Sequence, residues 1–245
     1  MKCGSIVPLP LLFPQGANMV PIVEYRKVAL SLPNGQVLKD IDFVLYRGEL
    51  CLIIGENSSG KTSFLRSLYV DIPIKSGTAR VLQANIHDIS AKEALTLRRQ
   101  MGLVFEHPEL FEDKTVFTNC ATVLRAFGWK DHTQIEERVR SVLRDFQLID
   151  KSHALVAELS AGEQRRLAIA RALVHQPKLL IADTPFTYLD RFWRHRILQH
   201  LTELCRRNQM AAVISTRDAN LADIFEGKKY LLKADSLLPY EQAEG

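Results

Sequence analysis

The chain has 245 residues, 47% hydrophobic and 24% charged, which is the composition of an ordinary globular protein long enough for one substantial core. Lys and Arg number 32 against 28 Asp and Glu, and the resulting +4 comes without a dense basic run carrying interleaved aromatics, so no nucleic-acid partner is expected. The mild charge fits a solvated basic surface or a slight preference for an anionic membrane face. No run of about 18 to 20 uninterrupted apolar residues occurs, so a spanning helix is excluded and any membrane role falls to a partner.

Met1 to Asn18 is apolar but broken by Pro8, Pro10 and Pro14, and reads as a loose tail (1–18) ahead of a single domain over 19–245, with Met19 as an alternative start. Cys3, Cys51, Cys120 and Cys205 are scattered and form no C-x-x-C pair, so neither a disulfide framework nor a zinc site is suggested and a reducing cytoplasm fits. "PIVEYRKVAL" and "QVLKDIDFVLYRGE" alternate apolar and polar residues as half-buried strands do, with Pro33 to Gly35 as the turn between them, which predicts an antiparallel flap. "LCLIIG" (Leu50 to Gly55) is an apolar run of strand length, as expected of a central parallel strand, and a helix follows from Gly60.

"RRQMGLVFEHPEL" (Arg98 to Leu110) predicts another short apolar strand ending at a polar turn. "VFTNCATVLRAF" and "TQIEERVRSVLRDFQLI" are helical, the second placing Ile135, Val139, Val142, Leu143 and Phe146 on one face. With neighbouring segments they form a candidate helical lobe, about 107–175. "SAGEQRRLAIARALV" begins with a serine cap and runs as a helix; the strand "LLIA", a helix near Arg191 to Arg207, and the strands "MAAVIST" and "KKYLLK" follow. Alternating strands and helices predict an α/β fold built on a mainly parallel sheet.

"GENSSGKT", Gly55 to Thr62, matches the phosphate-binding pattern G-x-x-x-x-G-K-[ST] in the required strand-to-helix setting. Gly55 and Gly60 permit turns that let backbone N–H groups of Asn57, Ser58, Ser59 and the start of the helix through Ser63 point at phosphate oxygens. Lys61 supplies charge to the β- and γ-phosphates, and the Thr62 hydroxyl is a ligand for Mg²⁺, so ATP and Mg²⁺ are the expected cofactors. About 100 positions on, "LSAGEQ" (Leu159 to Gln164) opens a helix, and Asp183 stands at a strand end, followed by "YLD".

That set of motifs resembles the ATP-binding subunits of ABC transporters, over roughly residues 20 to 235. The resemblance implies a P-loop NTPase of ABC type in which two subunits pair head to tail. The P-loop of one and the signature of the other, here Ser160, Ala161, Gly162 and Gln164, then enclose ATP. Asp183 would hold Mg²⁺ through water and Asp190 would lie at the dimer seam. Within the family, "LRRQMGLVFEHPELFEDKTVFTN" is most similar to the cell-division branch, the FtsE-like subunits, although lipoprotein-releasing and macrolide-exporting subunits share much of it. That branch implies an ATP-dependent homodimer working with an FtsX-like integral membrane protein on the inner face of the cell membrane.

Four positions depart from the family pattern. Glu106 stands where a glutamine senses the γ-phosphate, and its oxygens are alternative ligands for Mg²⁺. Thr184 replaces the general-base glutamate, Arg217 replaces the switch histidine, and Leu32 falls where an aromatic stacks on adenine. A threonine hydroxyl does not titrate in the working range and takes no proton from water, and loss of a positioned base typically lowers a rate about 10²- to 10⁴-fold. Arg217 keeps a guanidinium fork suited to phosphate. ATP binding is therefore expected to outlast hydrolysis, the alternative being an active ATPase of a lipoprotein-releasing or export-type transporter.

Overall fold

A computed structural model describes residues 20–32, 35–233 and 235–240. The expected tail over 1–18 and the tip of the first turn lie outside the described residues. β1 (Val23–Ser31) and β2 (Val37–Leu45) pair antiparallel as the flap, burying Val23, Tyr25, Val28 and Leu30 from one strand and Leu38, Ile41, Phe43 and Leu45 from the other. After β3 (Leu50–Ile54) and α1 (Lys61–Leu68), the flap gains two strands not anticipated above, β4 (Ile74–Val81) and β5 (Ala84–Asn85), in the order β2-β1-β4-β5. β4 buries only Ile74, Ala79 and Val81 within "IKSGTARV", so its apolar alternation is too weak to read from sequence.

The second sheet contains β3, β6 (Met101–Val104), β7 (Leu179–Ala182), β8 (Ala211–Thr216), β9 (Lys228–Lys233) and β10 (Ser236–Pro239), in the order β10-β9-β3-β8-β7-β6. Every pair is parallel except the edge pair β9–β10, so the sheet is mainly parallel as expected. β3 is wholly buried because alternate residues serve two cores. Cys51 and Ile53 pack with the flap and α1, whereas Leu50, Leu52 and Ile54 pack with helices on the other face. Those helices are α3 (Val116–Ala126), α4 (His132–Asp145), α5 (Ala161–Leu173) and α6 (Arg191–Asn208), and α2 (Ala91–Arg98) lies beside β6. Among the described residues no helix is long and apolar enough to cross a membrane.

The short strand expected within Arg98 to Leu110, ending at a polar turn before Pro108, is β6. Arg98 ends α2, and from Phe105 onward backbone carbonyls turn away from the sheet to accept hydrogen bonds from α5. Gly102 lets β6 and α5 meet: a Cβ there would lie 2.4 Å from the Ala172 carbonyl oxygen and 3.1 Å from Pro177 Cγ. Neither neighbour is a flexible side-chain end. Gly102→Ala is therefore expected to destabilise the fold by about 2 kcal/mol, read as a Tm lowered by roughly 4–8 °C in thermal unfolding followed by circular dichroism.

Candidate nucleotide-binding site

Three neighbouring strands end side by side, and the motifs begin there. Ile54 is in register with Thr216, and Ala182 with Ile214, so Gly55, Ser215 to Arg217, and Asp183 emerge together at the C-terminal edge of the sheet, where open α/β sheets bind ligands. Gly55 N–H donates to the Thr216 carbonyl at 3.3 Å, and Asp183 N–H to the Val104 carbonyl at 2.8 Å. Gly55 has no room for a Cβ, which would meet Leu232 O and Ser59 Oγ, each at 2.7 Å. Gly60 precedes α1 at φ +99°, a left-handed conformation open to glycine, and no side chain caps that helix start. The first-turn N–H groups thus face outward as donors for an anion.

Lys61 Nζ curls over this loop and donates to the carbonyls of Gly55 (2.8 Å) and Glu56 (2.5 Å), with Ser59 Oγ at 3.4 Å. Burial pushes its pKa below that of a free lysine, opposed by Asp183, reinforced by Arg217 and opposed again by Glu106. The Thr62 hydroxyl donates to Asp183 Oδ2 at 2.7 Å. These two hard oxygens open onto a cavity of about 500 Å³ also lined by Glu106, Phe105 and Tyr69. Among the described residues no group of three His, Cys, Asp or Glu side chains gathers to cage a metal unaided. One hydroxyl and one carboxylate beside a phosphate cradle is the donor set that suits Mg²⁺, which completes its shell with water and phosphate. When bound, the ion neutralises charge on the β- and γ-phosphate oxygens.

Thr184 and Arg217 line a second cavity, of about 200 Å³, together with Thr216, Tyr188 and Arg194. Arg217 is exposed and donates to Asn57 Oδ1 of the P-loop at 3.2 Å. Thr184 is buried at φ +43°, which is unfavourable for a β-branched residue, and its hydroxyl has no hydrogen-bond partner among the described residues. Its backbone holds it: the N–H donates to Ser215 Oγ at 2.9 Å, and its carbonyl accepts from the Thr187 hydroxyl at 3.0 Å. Leu32 is also buried, its Cδ2 3.2 Å from where a Gly60 Cβ would stand, so it presents no ring face to a base.

The signature is a separate surface. Ser160 caps α5 and accepts from Glu163 N–H, while the Glu163 carboxylate accepts from both Ser160 N–H (2.9 Å) and Ser160 Oγ (2.8 Å), closing a capping box. Lys151 Nζ lies 2.6 Å from the same carboxylate. Burial would raise the Glu163 pKa, but the hydrogen bonds from Lys151 and from Ser160 outweigh it and hold the carboxyl at about 2. Gly162 abuts the Tyr188 carbonyl, and Gln164 Nε2 donates to the carbonyls of Val156 and Leu159. No hydrogen bond among the described residues joins the signature to the P-loop.

Compared with known families, residues 38–187 match the ABC transporter family. The chain belongs to that family. It is 39% identical over 170 residues to the cell division ATP-binding protein FtsE of Streptococcus pneumoniae D39, covering 69% of this chain and 74% of that protein. FtsE of Mycobacterium tuberculosis is 34% identical over 205 residues, covering 84% and 88%. The methionine import ATP-binding protein MetN of Carboxydothermus hydrogenoformans is 34% identical over 196 residues, but this chain spans only 58% of its length. Among solved structures, the ATP-binding cassette MJ0796, as a dimer in a post-hydrolysis state bound to ADP and Pi, superposes with TM-score 0.81 at 26% identity over 91% of this chain and 99% of that one.

Within this ABC cassette the structure brings Gly55 to Ser63, Asp183, Glu106, Thr184 and Arg217 around one strand-end cluster and leaves Ser160 to Gln164 apart. Sequence reading missed Ser215, whose hydroxyl touches both Asp183 and Thr184, and two arginines of α5. Arg165 donates to the carbonyls of Phe105 (2.8 Å) and Glu106, and Arg171 to those of Glu109 (2.7 Å) and Pro108 (3.1 Å), so the segment carrying Glu106 is fastened to the signature helix. The clustering of arginines in "RRLAIAR" was the available signal.

Two outcomes follow from this geometry. Lys61→Ala removes the charge over the cradle and is expected to abolish the thermal stabilisation given by MgATP, which for the parent at 100 times Kd is about 2.7 kcal/mol, measured by differential scanning fluorimetry. The Glu163 pKa is depressed in the folded state, so its contribution to stability is complete above the ordinary glutamate pKa of 4.5 and is lost as pH falls toward about 2. Urea denaturation across that window is expected to show a smaller loss of stability in Glu163→Gln than in the parent.

Proposed function

We propose that this chain is the ATP-binding subunit of an FtsE-like ABC complex, that it binds MgATP through Gly55 to Ser63 with Asp183, and that it turns ATP over slowly or not at all. The observation that carries the reading is Thr184. It occupies the strand-end position after Asp183 where the family resemblance places a general base, and it is buried, neutral and fastened by its backbone. The cradle, by contrast, keeps Gly55, Gly60, Lys61 and Thr62 of the phosphate-binding pattern, and Ser160 caps the signature helix. ATP then acts as a clamp between two copies joined head to tail, each offering Ser160 and Gly162 to the other's nucleotide. The dimeric form of the similar cassette MJ0796 supports that pairing. The relatives named FtsE support a role in cell division; the FtsX-like integral membrane partner, which would hold the subunit at the inner face of the membrane, follows from the family resemblance alone.

The test is steady-state phosphate release at saturating MgATP beside an ATP-binding isotherm on the purified chain. Tight binding with negligible turnover is expected. Thr184→Glu combined with Arg217→His is expected to raise the rate at least about tenfold, the glutamate reaching into the cavity shared with Thr216 and supplying the absent base. A double variant that binds ATP normally and releases no more phosphate than the parent overturns the account of slow turnover. Robust turnover by the parent favours instead a hydrolytic transporter subunit.

A further inference from the structure

Ser215 lies one residue before the end of β8 and is wholly buried. Its hydroxyl donates to Asp183 Oδ1 and accepts the Thr184 N–H at 2.9 Å. A hydroxyl has one proton to give, so Asp183 takes it and Thr184 N–H takes a lone pair; among the described residues no other side chain makes both contacts. With Oδ1 engaged, Asp183 turns Oδ2 toward the Thr62 hydroxyl, 2.7 Å away. The same atom anchors the amide of Thr184 at φ +43°, directly before Pro185, a place where a β-branched residue is disfavoured both by its positive φ and by the proline that follows.

We propose that Ser215 is the positioning residue of the metal–nucleotide site, one hydroxyl setting both the aim of the Asp183 carboxylate and the backbone of Thr184. The inference rests on the MgATP reading above. Removing the hydroxyl leaves Asp183 Oδ1 and the Thr184 N–H buried without partners and frees the carboxylate to rotate away from Thr62. A hydroxyl that served packing alone would lower stability without distinguishing ATP with metal from ATP without it.

The experiment is ATP binding to the full chain by isothermal titration, in excess Mg²⁺ and again in EDTA. The parent is expected to bind more tightly with Mg²⁺. Ser215→Ala is expected to lose at least about tenfold of that gain while its affinity in EDTA stays within about threefold of the parent, since a hydrogen bond to a charged group is what is removed. Ser215→Thr, which restores a hydroxyl, is expected to restore the gain. Should Ser215→Ala fail to fold, Ser215→Cys keeps the volume with a poor donor and is expected to lose the gain as alanine would. A Mg²⁺-dependent gain equal to the parent's in Ser215→Ala or Ser215→Cys, or equal weakening with and without metal, overturns the proposal. If the parent itself shows no ATP binding, the nucleotide reading falls and this inference with it; a parent that responds beside an unchanged variant overturns this inference alone.

Discussion

The parallel register of β3, β8 and β7 is the constraint on which the rest of this molecule depends. Ile54 opposite Thr216, and Ala182 opposite Ile214, bring three chain segments that are remote in sequence to one edge. Parallel strands all point their C-termini the same way, so the residues just beyond them share one surface. On that edge the P-loop, Asp183 and Arg217 meet without any one motif specifying the others. The register itself is enforced by burial on both faces. Leu50, Leu52 and Ile54 feed one core and Cys51 and Ile53 the other, so a slip by one residue would exchange the two sets.

Around that edge the irregular segments are held chiefly by arginines, because carbonyls outside helices and strands have no ladder partner and find donors in side chains. Arg165 and Arg171 satisfy the carbonyls of Phe105, Glu106, Pro108 and Glu109. Arg166 donates to the Phe146 carbonyl at 2.6 Å and lies 3.9 Å over the Trp193 ring, joining α4, α5 and α6. Burial pushes all three guanidinium pKa values down. They stay charged nonetheless, since arginine keeps its proton in proteins. The helix that begins at the signature serine is thereby fastened to the segment that brings Glu106 to the Thr62–Asp183 cavity.

Three of the four expected departures from the family pattern, Glu106, Thr184 and Arg217, line the two strand-end cavities, and the fourth, Leu32, is buried beside Gly60. Against the residues that the family resemblance leads one to expect, Glu106 would add a negative charge, Thr184 would remove one and Arg217 would add a fixed positive one. Lys61 feels Glu106 and Arg217 in opposite senses, which places all three within one electrostatic neighbourhood. A threonine hydroxyl in place of a carboxylate leaves no proton acceptor, whereas a guanidinium at 217 suits holding an anion.

What could be read from the sequence was whatever depends on short spacings. The P-loop needs Gly55, Gly60, Lys61 and Thr62 at set intervals because the backbone of eight consecutive residues must wrap one phosphate, and the Ser160 to Glu163 capping box closes within a single turn. β3, α5 and α6 were legible for a related reason, their apolar patterns being continuous or helical over the whole element. β4 was not, because "IKSGTARV" buries only three residues and gains its place from pairing with β1. The short strand within Arg98 to Leu110 was legible as an apolar run, but not that the carbonyls beyond Val104 find arginines of α5, a choice made in three dimensions. Ser215 is the plainest case: nothing within ten residues marks it, and its meeting with Asp183, 32 positions away, exists only because β7 and β8 became neighbours. The sequence by itself determined the phosphate cradle and the signature cap, since each is written in local chemistry. Tertiary structure decided strand order, and with it which hydroxyl aims Asp183 and which arginines secure Glu106, because long-range pairing is settled by the burial of two cores at once.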